Sequence, residues 1–414
     1  MTATRRPTDR AARTLVLGAL SRLDSGTVVV REPGRPERRY GPGRPDRFGR
    51  PSFEVTAQVR DPRLWRSLVT GGSAGLGQAF ADHWWEVDDL TGFLRLLSRA
   101  VRRYDPVRTR LTRAADAAVA RLRHRQDPDR DRSNISAHYD LGNDFFASFL
   151  DPTMTYSSGV FAHPDADLAD ASTEKLDRLC RMLELGPGDD VAEIGTGWGS
   201  FAAHAADRYG ARVTTTTISA EQYQWARRRV AAEGLADRVE VLHDDYRDLR
   251  GTFHKLASIE MIEAVDWREL DTFFATCTGL LAPDGLMALQ AIVVPGNRWA
   301  SSRDSHDFIK THIFPGGCLH SIESISRSIS RASDLTLVEL HDYGLHYAQT
   351  LRSWRANLAE HRDRLGALGL DDRFVRLWEF YLAYCEAGFD EREISVVQCL
   401  LARPGWRPPT PFAA

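Results

Sequence analysis

From about residue 133 to 295, short apolar runs alternate with stretches whose apolar positions recur every three or four residues. Val191-Ala192-Glu193-Ile194 reads as a short strand and Ser200 to Tyr209 as a helix. Val213 to Ile218 is a β-branched strand, and Ala220 to Gly234 a long helix. Val239 to Leu242, Leu256 to Ile259 and Leu286 to Val294 are three further strands. Repeated βα units of this length imply a mainly parallel sheet with helices on both faces, an α/β architecture.

The flanking regions carry weaker patterns. Residues 1 to 23 predict an amphipathic helix beginning near Asp9, without the apolar core and cleavage site of a signal peptide. Thr27 to Val30 is strand-like, and Pro33 to Pro51 reads as turns around an irregular β segment. Gly71-Gly72 to Gly77 breaks the chain before an expected aromatic helix with Trp84 and Trp85. The Arg-dense stretch from Arg95 to Arg125 has two readings: a solvated helix face with a linker, or a basic surface for anionic lipid headgroups. Residues after 296 read as mostly helical, a cap over the carboxyl edge of the sheet. The organisation is thus a smaller α+β domain over 1–125 and a larger domain over 126–414.

Composition narrows the function. The 414 residues carry a formal net charge of −3, which argues against a nucleic-acid partner. The five cysteines, Cys180, Cys277, Cys318, Cys385 and Cys399, show neither a CxxC pair nor zinc spacing, and read as reduced thiols of a cytoplasmic protein. No run of about 18 apolar residues predicts a transmembrane helix, so membrane contact is peripheral. No cluster of acids and histidines has metal-ligand spacing, and no GxSxG elbow points to acyl hydrolysis.

The chemistry concentrates at strand ends. Glu193-Ile194-Gly195-Thr196-Gly197-Trp198-Gly199 follows a strand and opens a helix, where glycines permit a tight turn and close approach of a ligand. Alone, such a turn could serve a dinucleotide, S-adenosylmethionine or nothing; its spacing lacks the third glycine of GxGxxG and excludes a P-loop. Ser219 to Gln222 follows the second strand and Asp245-Tyr246-Arg247-Asp248 the third. Ligands of open α/β sheets bind outside such ends, and three polar clusters there describe a class I, Rossmann-like methyltransferase fold.

Further motifs resemble one family. His138-Tyr139-Asp140-Leu141-Gly142-Asn143-Asp144-Phe145-Phe146, then Met154-Thr155-Tyr156-Ser157, is similar to the opening signature of the cyclopropane-fatty-acyl-phospholipid synthases. Ile259 to Val265, Phe308 to Leu319, His346-Tyr347 and Tyr384 to Phe389 with Gln398 extend the resemblance over roughly 133 to 400. It implies S-adenosylmethionine as cofactor, held by Tyr139, Tyr156 and Ser157. Glu193, Gly195, Gly197 and Gly199 lie in the turn beneath its amino acid portion, Thr217 and Gln222 near the ribose, and Asp245 and Tyr246 at the adenine. It also implies a bicarbonate ion beside the reacting carbon, in a pocket of Ser158, Glu263, Gln290, Ile292 and Tyr347. The chain departs from the family where Ser158 replaces Cys, Gly159 replaces Ala and Gln290 occupies a position that is often His. Asp266 and His320 stand where Gly and Pro are common.

An isolated alkene is a weak nucleophile, so methylating it requires a strong electrophile held in line and away from water. The resulting carbocation needs aromatic faces or carboxylate charge, for which Tyr156, Phe161, Phe314 and Tyr347 are candidates, and then a base. Glu263 is expected to hold that base or, as the second reading, to be it, with Tyr347 orienting the same site; His138, His312 and Cys318 read as structural. The resemblance implies transfer of the methyl carbon to the double bond of an unsaturated acyl chain in membrane phospholipid, ending in a cyclopropane. The alternatives are a methylene branch, with a separate reductase as partner, a soluble unsaturated substrate, or a non-catalytic lipid binder. A homodimer on the inner face of the cell membrane completes the expectation.

Overall fold

The computed structural model describes residues 7–46, 49–102 and 142–408. Two compact units are present: one draws on the N-terminal residues with 304–315 and 351–393, and the other on 126–303, 316–350 and 394–414. The helix Gly344–Glu360 continues from the second set of residues into the first.

In the N-terminal unit, strands β1 (Thr27–Arg31), β2 (Arg38–Tyr40), β3 (Glu54–Val59) and β4 (Trp85–Val87) form a sheet of order β2-β1-β3-β4. Only the β1–β3 pair is parallel. Helices Pro7–Leu20, Arg63–Ala81, Leu90–Arg102 and Asp372–Asp390 accompany it. The expected break at Gly71 to Gly77 is instead a kink within helix Arg63–Ala81, localised at Gly72 with φ +54° and ψ −134°. Gly77 is required by packing, since a Cβ there would lie 2.4 Å from the Phe308 ring. Trp85 sits on β4, not on a helix: it is buried, donates its indole N–H to Leu76 O at 3.2 Å and packs edge-on against Phe80.

Arg95 and Arg99 do not form a basic outer surface. Arg99, with only 1% of its side chain exposed, donates to both carboxylate oxygens of Glu391 at 2.7 and 2.9 Å, and Arg95 pairs with Asp390 and Glu391. The side chains of the rest of the expected basic stretch, Arg102 to Arg125, lie outside what the structure describes.

The second unit contains the predicted sheet and two strands the sequence reading left unassigned. Strands β5 (Asp190–Ile194), β6 (Arg212–Thr216), β7 (Val239–Leu242), β8 (Phe253–Ile259) and β9 (Leu281–Val293) run parallel. They are joined by β10 (Thr336–Asp342) and β11 (Ser395–Ala402) in the order β10-β11-β9-β8-β5-β6-β7. Strand β11 pairs antiparallel with both neighbours and alone runs against the rest. The segment after residue 296 therefore adds strands to the sheet as well as helices.

Both faces of this sheet are buried, which explains why its strands read as apolar runs. One face packs Leu176, Leu179, Phe201 and Val230. Ala202, Ala203, Ala205 and Ala206 let helix Ser200–Tyr209 lie close to it. Phe273, Phe274, Cys277, Ile325 and Ile329 cover the other face, from helices Leu270–Leu280 and Ile322–Ala332.

Candidate active site

The carboxyl ends of β5, β6, β7 and β8 carry the polar groups. After β5, Gly195, Gly197 and Gly199 have φ of +102°, +53° and +83°, conformations that side chains with a Cβ rarely adopt. A Cβ on Gly195 would touch Met261 at 3.0 Å, whereas one on Gly197 would meet nothing within 4 Å. The turn is therefore packed behind Gly195 and open beside Gly197. Trp198 is buried and anchors it by donating Nε1–H to Asn143 Oδ1 at 2.7 Å, so the opening segment is tied to the turn.

Thr217, after β6, donates its hydroxyl to Gln222 Oε1 at 2.9 Å, bringing those two predicted residues together. Ser219 caps helix Ala220–Ala232 by accepting Gln222 N–H. Asp245 engages its own loop, accepting Arg247 N–H at 3.0 Å and pairing with the Arg247 guanidinium at 2.7 Å. Tyr246 packs edge-on against Phe273, and burial pushes its phenol pKa up. In the opening segment, Tyr156 stacks edge-on with Phe146, and buried Ser157 accepts from Lys175 Nζ at 2.9 Å. Tyr139 and His138 lie outside the described residues.

Glu193 is fully buried on β5, and its Oε2 is a buried oxygen without a hydrogen-bond partner. Burial raises its pKa to about 8, against the smaller opposing effects of the Thr215 hydroxyl and Lys175. Glu263 lies in a short 3-10 turn, Ile262–Ala264, and accepts Ile292 N–H through Oε1 at 2.5 Å. Its Oε2 is likewise buried without a partner. Burial and then the charge of Glu260 raise the Glu263 pKa to about 8.

Two residues that sequence reasoning did not select complete the site. Glu260 directly follows β8 and accepts Ser158 N–H at 2.9 Å, Gln290 Nε2–H at 2.7 Å and Tyr347 O–H at 2.7 Å. Three of the five residues expected around a bicarbonate ion therefore surround a carboxylate of the chain itself. Ser158 contributes its backbone N–H, while its hydroxyl donates to Gly159 O. Glu260 also has φ +49°, a strain of roughly 1–3 kcal/mol for a residue with a Cβ. Lys175 is the second: it is fully buried, and desolvation lowers its pKa to about 8 against the pull of Glu260, Asp151 and Glu193.

Both carried a sequence signal. The rule that selects the ends of β5, β6 and β7, extended to β8, reaches Glu260. Lys175 interrupts the apolar Ala171–Lys175–Leu179 row of helix Leu168–Met182. The two unexplained substitutions acquire roles as well. His320 is fully buried, with Nε2 3.2 and 3.1 Å from the carbonyls of Ile262 and Val265, bracing the turn that holds Glu263. Asp266 accepts Arg268 N–H and caps the following turn. Phe161 stacks near His346, while Phe314 packs on Tyr381 within the N-terminal unit.

This strand order, with a glycine turn after the first strand and one reversed strand, defines a class I S-adenosylmethionine-dependent methyltransferase. Residues 126–399 match the family described as mycolic acid cyclopropane synthetase. The chain is 40% identical over 353 residues to tuberculostearic acid methyltransferase UfaA1 of Mycobacterium tuberculosis, covering 84% of this chain and 82% of the relative. It is 34% identical to the cyclopropane-fatty-acyl-phospholipid synthase of Escherichia coli K12, covering 85% and 89%. The solved mycolic acid cyclopropane synthase CmaA1 in complex with SAH and CTAB superimposes with a TM-score of 0.61 at 30% identity, over 66% of this chain and 98% of that one. The chain belongs to this cyclopropane synthase family, and S-adenosylmethionine is its cofactor. The site suits that group: a ligand with a sulfonium and an ammonium meets buried, unpartnered carboxylate oxygens of Glu193 and Glu263, and a turn open at Gly197.

Proposed function

We propose that the chain methylates the double bond of an unsaturated fatty acyl chain in membrane phospholipid, working from the cytoplasmic face of the membrane. The observation that carries this reading is the pair of part-buried carboxylates, Glu260 and Glu263, at the same sheet edge as the glycine turn. An alkene offers no acidic proton to remove before attack, so a base is needed only after a cation has formed, and the cation itself favours nearby negative charge. The relatives support the substrate class through their names, which specify fatty acyl phospholipid and mycolic acid.

S-adenosylmethionine supplies an electrophilic methyl group whose bonding pair stays with sulfur. Glu193, Gly195, Gly197 and Gly199 would hold its amino acid portion, Thr217 and Gln222 its ribose, and Asp245 and Tyr246 its adenine, with Tyr139, Tyr156 and Ser157 closing over it. Tyr347, Gln290 and Ser158 N–H would orient negative charge toward the acyl chain. Residues 1–125 would contact lipid and pair two copies of the chain, and 126–414 would carry the chemistry. Among the described residues no helix is long and apolar enough to cross a membrane, in keeping with peripheral docking.

Two endings share one proton loss. Removing a proton from the new methyl group with ring closure gives a cyclopropane; a hydride shift beforehand gives a methylene branch, which a separate reductase would saturate. The branched ending is favoured by the 40% identity to a relative named for methylation, against 34% to one named for cyclopropane formation. Expression in a host without its own cyclopropane synthase, with mass spectrometry of the fatty acid methyl esters, tests both. A gain of one CH2 is expected, and fragmentation separates ring from branch. Unaltered esters, or activity on soluble olefins without vesicles, would overturn the reading.

A further inference from the structure

The Glu260 carboxylate occupies an unusual position for an acid held merely by packing. It is part-buried, and its three hydrogen bonds come from a backbone N–H, an amide and a phenol, all neutral donors. Gln290 has a fixed orientation: its Oε1 accepts Gln398 Nε2–H at 2.9 Å, and Gln398 Oε1 accepts Arg178 Nε–H at 3.1 Å. Gln290 consequently turns its NH2 toward Glu260. The sheet register enforces the relay, since Gln290 pairs with Ile259 on one side and Gln398 on the other. The backbone of Glu260 is held in the left-handed region, where glycine would be easier. Strain of this kind persists where the surrounding structure imposes it, and it clusters at functional sites.

We propose that Glu260 is the base of the reaction, taking the proton lost from the newly transferred methyl group. The proposal rests on the olefin reading above. After methyl transfer the acyl chain carries one positive charge. Glu260 removes a hydrogen of the methyl group as a proton, and the C–H electron pair stays on carbon. That pair either closes the three-membered ring on the cationic carbon or, after a hydride shift, forms the C=CH2 bond. Cation plus carboxylate become neutral lipid plus carboxylic acid, so charge and atoms balance.

The neighbouring acids divide the roles. Burial raises both acids; Glu263 also feels the charge of Glu260, whereas at Glu260 three donors and Lys175 oppose the rise. Two carboxyl groups so coupled hold a proton unequally. Among the described residues, Lys175, Glu263 and Tyr347 are the titratable groups around the Glu260 carboxylate.

The test uses the purified full chain, unsaturated phospholipid vesicles and buffer freed of carbon dioxide. Wild-type turnover is expected not to change when bicarbonate is added. Glu260→Gly, which relaxes the backbone, should bind S-adenosylmethionine normally by calorimetry yet lose about 100-fold or more in kcat. Added formate or bicarbonate should restore on the order of tenfold, by placing a free carboxylate among the same donors. Glu260→Gln should be equally slow and unrescued, its amide filling the space. Independently of turnover, carbon-13 formate should show exchange broadening with Glu260→Gly and none with wild type. Stimulation of the wild type by bicarbonate, wild-type turnover in Glu260→Gly, or absence of both rescue and formate binding would overturn the proposal. A wild type inactive on every unsaturated phospholipid would instead overturn the proposed function.

Discussion

Buried acids are treated in opposite ways by the two units. In the N-terminal unit, Glu391 is met by Arg99, Arg95 and Arg50, and Glu386 by Arg352 and Arg355 with the Thr91 hydroxyl. Burial pushes Glu391 up, but hydrogen bonds from Arg99 and Arg95 outweigh it and its pKa falls below the usual value. In the second unit, buried Glu193 and part-buried Glu260 and Glu263 have no arginine partner among the described residues, and all three are raised. Lys175 is the buried cation that acts on Glu193 and Glu260. An acid compensated by fixed cations holds structure together. One left short of positive charge is held ready for a charge that arrives: the sulfonium cofactor and, in the reaction proposed above, a cationic reaction centre.

That contrast can be broken most forcefully from the structural side. Glu391→Gln leaves Arg99 and its fellow arginines without their shared countercharge, and should cost about 3–5 kcal/mol of stability, read as a lower calorimetric Tm. An unchanged Tm would mean the arginine cluster is not structural. Glu263→Gln should do the reverse to stability while damaging function. A folded-state pKa near 8 against 4.5 for the free side chain means this group favours folding below about pH 4.5. The contribution is lost as pH rises through about 8. The glutamine variant should therefore be more stable than wild type at pH 8, on the order of 3 kcal/mol, with the difference vanishing toward pH 4.5. Its turnover should fall roughly 100-fold with cofactor affinity nearly intact. A glutamine variant that is less stable at pH 8 would remove the distinction between the units.

Smaller changes sharpen the picture inside the site. Tyr347→Phe withdraws one donor from Glu260 and should lower kcat about tenfold, with little change in KM for S-adenosylmethionine. Equal loss in both parameters would place Tyr347 in cofactor binding instead. Ser158→Ala keeps the backbone N–H that serves Glu260 and removes only a hydroxyl bonded to Gly159 O. Its turnover should stay within about threefold of wild type, and a collapse in rate would show that the hydroxyl itself acts on substrate.

What the chain alone determined is local in origin. Apolar runs separated by helical periodicity defined β5 to β9, and the boundaries of helix Ser200–Tyr209 agree residue for residue. Positive φ at Gly195, Gly197 and Gly199 follows from a tight turn that only glycine makes easily. The pairing of Thr217 with Gln222 is likewise a short-range consequence of one strand feeding one helix. The motif resemblance added the family, because five ordered signatures are conspicuous without any coordinates.

Tertiary structure decided which acid sits where, and which charges are compensated. Arg99 and Glu391 are 292 positions apart, so no pattern along the chain could show that an apparently basic surface residue is buried in an ion pair. Strand β10 was hidden because it is mostly exposed and a pairing partner far away in sequence, not local periodicity, stabilises it, whereas β11 is itself a buried apolar run. Glu260 read as one more residue of a motif until Ser158, Gln290 and Tyr347, remote from one another along the chain, converged on its two oxygens. Hydrogen bonds and desolvation depend on what lies within a few ångströms, and chain order does not encode that distance directly.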